Sequence, residues 1–287
     1  MKIITIMNQN GGVAKTHTAT NLAHGIGKKG FKVLLIDADP QATSTDTVLQ
    51  IGNEFRKQEI EEVRKMIKEG IPKYRALEQV VSKPSPEYDL ADVFDDPDII
   101  EEAIYTTQNP NVDIIASSMK LDNTDMKIRD DRTRSNITIL SDALKNVEAK
   151  YDFVILDEAP RSDNITSNSL IISDLVIIPI KTDRKSMKGF LRTIKSMLLI
   201  QKRNKVDFDF KLLLQMVNKN RNDKSLIEFY QSEFADDVFK QTIRFQAKPI
   251  SDADFNNTYV IENEKSNVAK DYMNFIDEVL DYFNQKG

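Results

Sequence analysis

A doubly wound, mostly parallel α/β sheet with helices on both faces is the fold that this chain predicts. Three observations carry that expectation. Short β-branched runs alternate with helical patterns along the 287 residues, the rhythm of repeated strand–helix–strand units. Most of the runs are apolar throughout, as strands covered on both faces must be. A glycine-bearing loop also joins the first run directly to the first helical pattern, the position where such sheets place an anion.

In chain order, the expected strands are Ile3–Met7, Lys32–Ile36, Val112–Ala116, Phe153–Leu156, Leu175–Ile180 and Lys211–Val217. The expected helices are Lys15–Lys28, Arg134–Lys150, Asn164–Ser173, Ser186–Asn204, Asp223–Phe234 and Val268–Phe283. Asn53–Pro97 breaks the rhythm. It holds a charged helix, Glu54–Glu69, with Phe55, Ile60, Val63 and Ile67 on one side, then a loop containing Lys83-Pro84-Ser85-Pro86. The expected organisation is a single domain over residues 1–287 with a helical insertion at about 53–97. That insertion reads as a solvated surface helix, with a partner-binding lid as the alternative.

Composition narrows the function classes. Hydrophobic residues make up 40% and charged residues 30%, the balance of a soluble globular chain. There is no cysteine, which excludes a disulfide framework, a CxxC redox pair and an iron–sulfur site. No apolar run approaches the ~18 residues of a membrane span, and the chain enters a strand almost at once, so no signal peptide is expected. The expected location is cytoplasmic. Net charge is −5, but unevenly spread. Lys181 to Lys224 carries thirteen basic against four acidic residues, while the remainder carries 27 against 41. A basic face on an acidic body is the pattern to explain.

Asn8-Gln9-Asn10-Gly11-Gly12-Val13-Ala14-Lys15-Thr16 is the most informative stretch. Glycines let a backbone turn sharply and approach an anion. The N–H groups at the following helix start then face phosphate oxygens, aided by the helix dipole. A lysine and a hydroxyl at the end of such a loop suit terminal phosphates and Mg²⁺. Two strands end in carboxylates, Asp37-Ala38-Asp39-Pro40-Gln41 and Asp157-Glu158-Ala159-Pro160. Both fall where open α/β sheets hold their ligands.

Those segments, with Tyr151-Asp152-Phe153-Val154-Ile155-Leu156-Asp157, Asn111–Ser117 and Ile177-Ile178-Pro179-Ile180, resemble the ParA/MinD-type deviant-Walker P-loop ATPases. Within that family the Asp-x-Asp-Pro-Gln segment resembles the ParA partition proteins. The resemblance spans nearly the whole chain and implies ATP and Mg²⁺ as ligands. It implies that Gly11, Gly12, Val13, Ala14, Lys15, Thr16 and His17 wrap the phosphates and that Lys15 contacts the terminal ones. It further implies that Thr16, Asp37 and Asp157 serve the metal and that Asp39 orients the attacking water. Asn218 and Pro249 fall where relatives meet adenine.

The loop departs from the family pattern at three positions. Asn10 stands where relatives carry a signature lysine that crosses a sandwich dimer to the partner's phosphates. Ala14 replaces a glycine, a change tolerable only at negative φ. His17 replaces a hydroxyl residue and either donates to phosphate or points to solvent. Asparagine brings no charge, so slow hydrolysis is expected.

Within Ser186–Asn204, Met187, Phe190, Leu191, Ile194, Met197 and Leu198 read as a buried stripe. Lys188, Arg192, Lys195 and Lys202 share the opposite face, and Arg203 thickens one end. No aromatic residue interleaves, so contact with the phosphate backbone rather than with bases is implied. An ordinary solvated face is the plain alternative. The resemblance implies an ATP-bound homodimer that binds nonspecific DNA on the nucleoid and answers to a ParB-like centromere-binding partner. Two other readings stand beside it: a dimerising, DNA-binding switch with little ATPase activity, and a MinD-like positioning ATPase. The last is disfavoured because the C-terminal amphipathic helix has an acidic polar face, the wrong sign for anionic lipid. No membrane partner is expected.

Overall fold

The computed structural model describes residues 1–49, 55–81, 86–218 and 220–286. Its elements run β1 (Lys2–Ile6), α1 (Lys15–Lys28), β2 (Val33–Ala38), α2 (Thr43–Val48), α3 (Phe55–Lys68), α4 (Lys73–Val81) and α5 (Leu90–Asp95). There follow β3 (Ile104–Thr106), β4 (Val112–Ile115), α6 (Leu121–Asp130), α7 (Ile139–Lys145), β5 (Phe153–Glu158) and α8 (Asn164–Ile172). The chain closes with β6 (Leu175–Lys181), α9 (Arg184–Asn204), β7 (Asp209–Gln215), α10 (Arg221–Glu233), α11 (Ala247–Asn256) and α12 (Asn267–Lys286).

Among the described residues, seven strands form one sheet in the order β3-β4-β2-β5-β1-β6-β7. All pairings are parallel except β3 on β4. The expected doubly wound sheet is thus present. Alternation explains the all-apolar strands: Val33 and Leu35 face a layer holding Leu22, Ile26, Phe275 and Ile276. Leu34 and Ile36 face the other layer with Leu90, Phe94, Leu140 and Ile165. Each such buried side chain contributes roughly 1.5–3 kcal/mol. The C-terminal helix belongs to the first layer, burying Tyr272, Phe275, Ile276 and Val279.

Several expectations shift. The Arg134–Lys150 helix shrinks to α7, because Arg134 is taken by Asp131 Oδ2 at 2.8 Å and by the Phe94 carbonyl at 2.6 Å. Past Lys145 the chain tightens into successive short turns through Asn146, Val147 and Lys150. The stretch 53–97 divides in two. α3 and α4 pack on each other, with Ile60 exposed, whereas Leu90 and Phe94 of α5 lie in the core. Residues 53, 54 and 82–85 of that stretch, most of the Lys83–Pro86 loop included, lie outside the described residues, as does the side chain of Phe55.

The stripe on α9 is also corrected. Leu191 and Leu198 are 51% and 52% exposed. The buried line runs instead through Ser186, Gly189, Thr193, Met197 and Ile200, with Met187, Phe190 and Ile194 partly covered. Small polar positions carry the centre of this face because it rests on the glycine-bearing loop, as described next.

Candidate phosphate-binding site

The register of the sheet assembles the site. Ile6 of β1 pairs with Asp157 of β5, and Asp157 pairs with Asp37 of β2. The loop after β1 therefore stands beside two carboxylates at the carboxyl edge of the sheet. Gly12 has φ 68°, and Ala14, the residue before α1, has φ 63° and ψ 35°. The expectation of a negative φ at Ala14 is overturned. The chain must enter α1 through a left-handed residue here, and alanine accepts the roughly 1–2 kcal/mol steric cost. No side chain caps the first turn of α1, so its amide donors are directed at the loop mouth, where an anion would satisfy them.

Lys15 is only 8% exposed. Its ammonium donates to the Asn10 carbonyl at 3.3 Å. Burial lowers its pKa, countered by Asp157, Asp39 and Glu158 nearby. Asp37 is fully buried. Its Oδ2 accepts from the Thr45 amide and hydroxyl, both at 2.8 Å, and its Oδ1 from the Asp39 amide at 3.1 Å. Burial, and then the charge of Asp157, raise its pKa to about 8. Asp157 Oδ2 accepts from the Ser44 hydroxyl at 2.8 Å, while its buried Oδ1 has no hydrogen-bond partner. Burial raises its pKa to about 6 against hydrogen bonds from Ser44 and Thr16. A threonine hydroxyl beside a carboxylate with a spare buried oxygen is an all-oxygen donor set that fits Mg²⁺. Asp39 is partly exposed at the head of the following turn, with Oδ1 accepting from the Gln41 amide at 3.0 Å. Glu158 completes the acidic edge. It is buried, bonded by Thr166 at 3.0 Å, and raised to about 7 by burial.

His17 is turned toward α11 rather than outward into solvent. Its Nε2 lies 3.2 Å from Asp254 Oδ1 on α11, and burial lowers its pKa. Asn218 follows β7, with its amide donating to Asp223 Oδ2 at 2.7 Å. Pro249 lies in the first turn of α11. The two segments are joined by Phe245 donating to the Val217 carbonyl at 2.9 Å.

Some working residues were not read from sequence. Asn8 is buried, donates to the Pro179 carbonyl at 2.8 Å and accepts from the Asn10 amide at 2.9 Å. Thr193 of α9 accepts from the Gln9 amide at 3.1 Å. Ser44 and Thr45 hold the two aspartates, and the hydroxyl-rich run Thr43–Thr47 after Asp39-Pro40-Gln41 was the available signal. Lys188, Arg192, Lys195, Lys202 and Arg203 are all exposed on α9. Arg192 differs from the others in reaching the loop, donating to Asn10 Oδ1 at 3.3 Å.

Fold and loop together define a P-loop protein of the NTPase type. A family model described as AAA domain matches residues 1–210, and the chain belongs to that family, in its ParA-type P-loop branch. It is 29% identical over 280 residues to the sporulation initiation inhibitor protein Soj of Bacillus subtilis, covering 97% of this chain and 98% of that one. Among solved structures it is similar to apo McdA of Cyanthece, with TM-score 0.75, 18% identity and coverage of 98% and 99%. It is also similar to a putative plasmid partition protein of Borrelia burgdorferi B31 bound to AMPPNP, with TM-score 0.71, 24% identity and coverage of 100% and 99%. Among the described residues, no helix is long and apolar enough to cross a membrane.

Proposed function

We propose that this chain is an ATP-dependent DNA-partition protein. ATP with Mg²⁺ binds at the loop, the loaded chain forms a homodimer, and the dimer holds nonspecific DNA on the nucleoid through α9. Hydrolysis, stimulated by a ParB-like centromere-binding partner, releases it. The observation that carries this reading is the packing of α9 on the phosphate loop, which links a nucleotide site to a basic face within one hydrogen-bonded unit. Soj and the Borrelia partition protein support the same class.

In this reading Lys15 and the α1 amides hold the terminal phosphates, and Asn218 and Pro249 flank the base. Thr16 and Asp157 would hold Mg²⁺, which neutralises phosphate charge when bound, and Asp37, whose oxygens accept from Thr45 and the Asp39 amide, would support it indirectly. Asp39, partly exposed at the turn after β2, orients the attacking water rather than acting as a strong base. Turnover is slow because Asn10 brings no charge to a partner's phosphates. That same feature favours the second reading, a nucleotide-gated DNA-binding switch with little hydrolysis.

DNA binding measured with AMPPNP, ADP and no nucleotide tests the proposal, with Lys15→Met as the control. Binding only with the triphosphate, lost in Lys15→Met, is expected. DNA binding indifferent to nucleotide would reject it. Phosphate release with and without DNA and partner separates the partition reading from the switch.

A further inference from the structure

Asn10 is held on three sides by α9. Its Nδ2 donates to the carbonyls of Lys185 and Ser186 at 3.2 and 3.4 Å. Its Oδ1 accepts from the Arg192 guanidinium. Below it lies Gly189, where a Cβ would stand 2.1 Å from Asn10 Cγ, so the helix meets the loop at a distance that only glycine permits. On the other side, the Asn10 carbonyl accepts from Lys15 Nζ at 3.3 Å. The two oxygens of one loop residue thus each receive a cation, one from α1 and one from α9.

The electrostatics of the site give this pairing a purpose. Lys15 is the loop's own cation, and its charged neighbours are Asp39, Asp157 and Glu158. A triphosphate brings several further negative charges into that acidic edge. One divalent cation and one lysine leave the assembly anionic, and a guanidinium is the group best shaped to hold phosphate oxygens in a bidentate fork. Arg192 is the cation that the hydrogen bonds place against the loop. Its guanidinium sits on an exposed, rotatable stem next to the residue that also receives Lys15.

We infer that Arg192 is a second phosphate-binding cation of this loop, contacting the terminal phosphate of a bound nucleoside triphosphate from within the same chain. The inference rests on the reading of the loop as an ATP site. It sets Arg192 apart from Lys188, Lys195, Lys202 and Arg203, whose place is on the DNA face. A cation that meets the terminal phosphate distinguishes triphosphate from diphosphate, and one that stabilises charge developing there also speeds hydrolysis.

The test uses the full chain without DNA or partner, so that a role confined to DNA is silent. Arg192→Gln, Arg192→Lys and, as a control for loss of any surface charge, Lys265→Gln are compared with the parent. Two quantities are read: the ratio of ADP to AMPPNP dissociation constants in Mg²⁺, and single-turnover release of phosphate from ATP. Arg192→Gln is expected to lower the affinity ratio about tenfold, and turnover by ~10²-fold or more, the scale of losing one charge-stabilising donor. Arg192→Lys is expected to recover the ratio in part, and Lys265→Gln to leave both readouts unchanged. Arg192→Gln that matches the parent in both readouts overturns the inference while the ATP site stands. A parent chain that binds neither nucleotide overturns the ATP reading and the inference with it.

Discussion

Asp37 and Asp157 stand side by side in register at the ends of β2 and β5, yet their oxygens are treated unequally. Both oxygens of Asp37 are used by Thr45 and the Asp39 amide, whereas Asp157 keeps Oδ1 without a hydrogen-bond partner. The first carboxylate organises the turn toward α2. The second is left with a spare acceptor for a cation.

This inequality predicts a pH-dependent cost. Both carboxyls titrate higher in the fold than in the unfolded chain, near 8 and near 6 against 3.8. Between those limits the folded chain binds more protons than the unfolded chain, so its stability falls as pH rises through the window. Asp157→Asn removes one of the two charges. Without Mg²⁺ its melting temperature should exceed the parent's near pH 8, with the gap closing toward about pH 4. Each kcal/mol gained corresponds to about 2–4 °C in a chain of this size class. The stabilisation that Mg²⁺ and nucleotide give the parent should vanish in the variant. Scanning fluorimetry across pH reads both, and a variant less stable than the parent near pH 8 refutes the argument.

Ala14 carries a second prediction. A residue held at φ 63° suits glycine, and replacing the methyl there removes left-handed strain at the price of extra freedom in the unfolded chain. Ala14→Gly should therefore stabilise the fold by up to about 1 kcal/mol, the strain being the larger of the two terms. Urea denaturation measures it. A destabilised variant would show that the loop relieves the strain in another way.

Ala14 also shows where sequence reading succeeds and where it stops. β1, β2, β5 and β6 were legible because strands buried on both faces must be apolar throughout. Lys15, Thr16, Asp37 and Asp157 stood out because phosphate chemistry restricts the residue types. β3 was missed: Ile104-Tyr105-Thr106 is a three-residue edge strand with no apolar run to mark it. The true seam of α9 passes through Ser186, Gly189 and Thr193, which no hydrophobic pattern counts, so Leu191 and Leu198 were assigned to the core in their place. The sign of φ at Ala14 depends on how a strand, a loop and a helix close in space. Local preference argued for the opposite sign.

The contact between Asn10 and Gly189 predicts a coupled pair. Gly189→Ala gains helix propensity, roughly 0.8–1 kcal/mol, but places a methyl into Asn10 Cγ, a clash worth about 1–3 kcal/mol. The single variant should lose net stability and weaken AMPPNP binding, because the loop must lift away from α9. Asn10→Ala removes the clashing atoms, so Gly189→Ala in that background should be neutral or stabilising. The double-mutant cycle should then show a coupling energy within the 0.5–3 kcal/mol seen for contacting residues. Additive effects would mean that loop and helix move independently.

Salt dependence offers the sharpest test of the α9 face. Lys188, Lys195, Lys202 and Arg203 are exposed on one helix with no aromatic residue among them, so each contact with DNA should be a phosphate contact without base preference. Every phosphate neutralised releases condensed counterions, and the logarithm of affinity falls with the logarithm of salt concentration by about 0.9 per contact on duplex DNA. Lys195→Gln and Lys202→Gln should each lower triphosphate-dependent affinity, by similar factors on unrelated sequences, and reduce the slope by about 1. The exposed Leu191 and Leu198 lie between these cations and add no charge, so Leu191→Ser should leave the slope unchanged. Fluorescence anisotropy over a salt series on two duplexes separates these outcomes. A slope unmoved by losing Lys195 and Lys202 would remove α9 from the DNA interface, however basic its sequence.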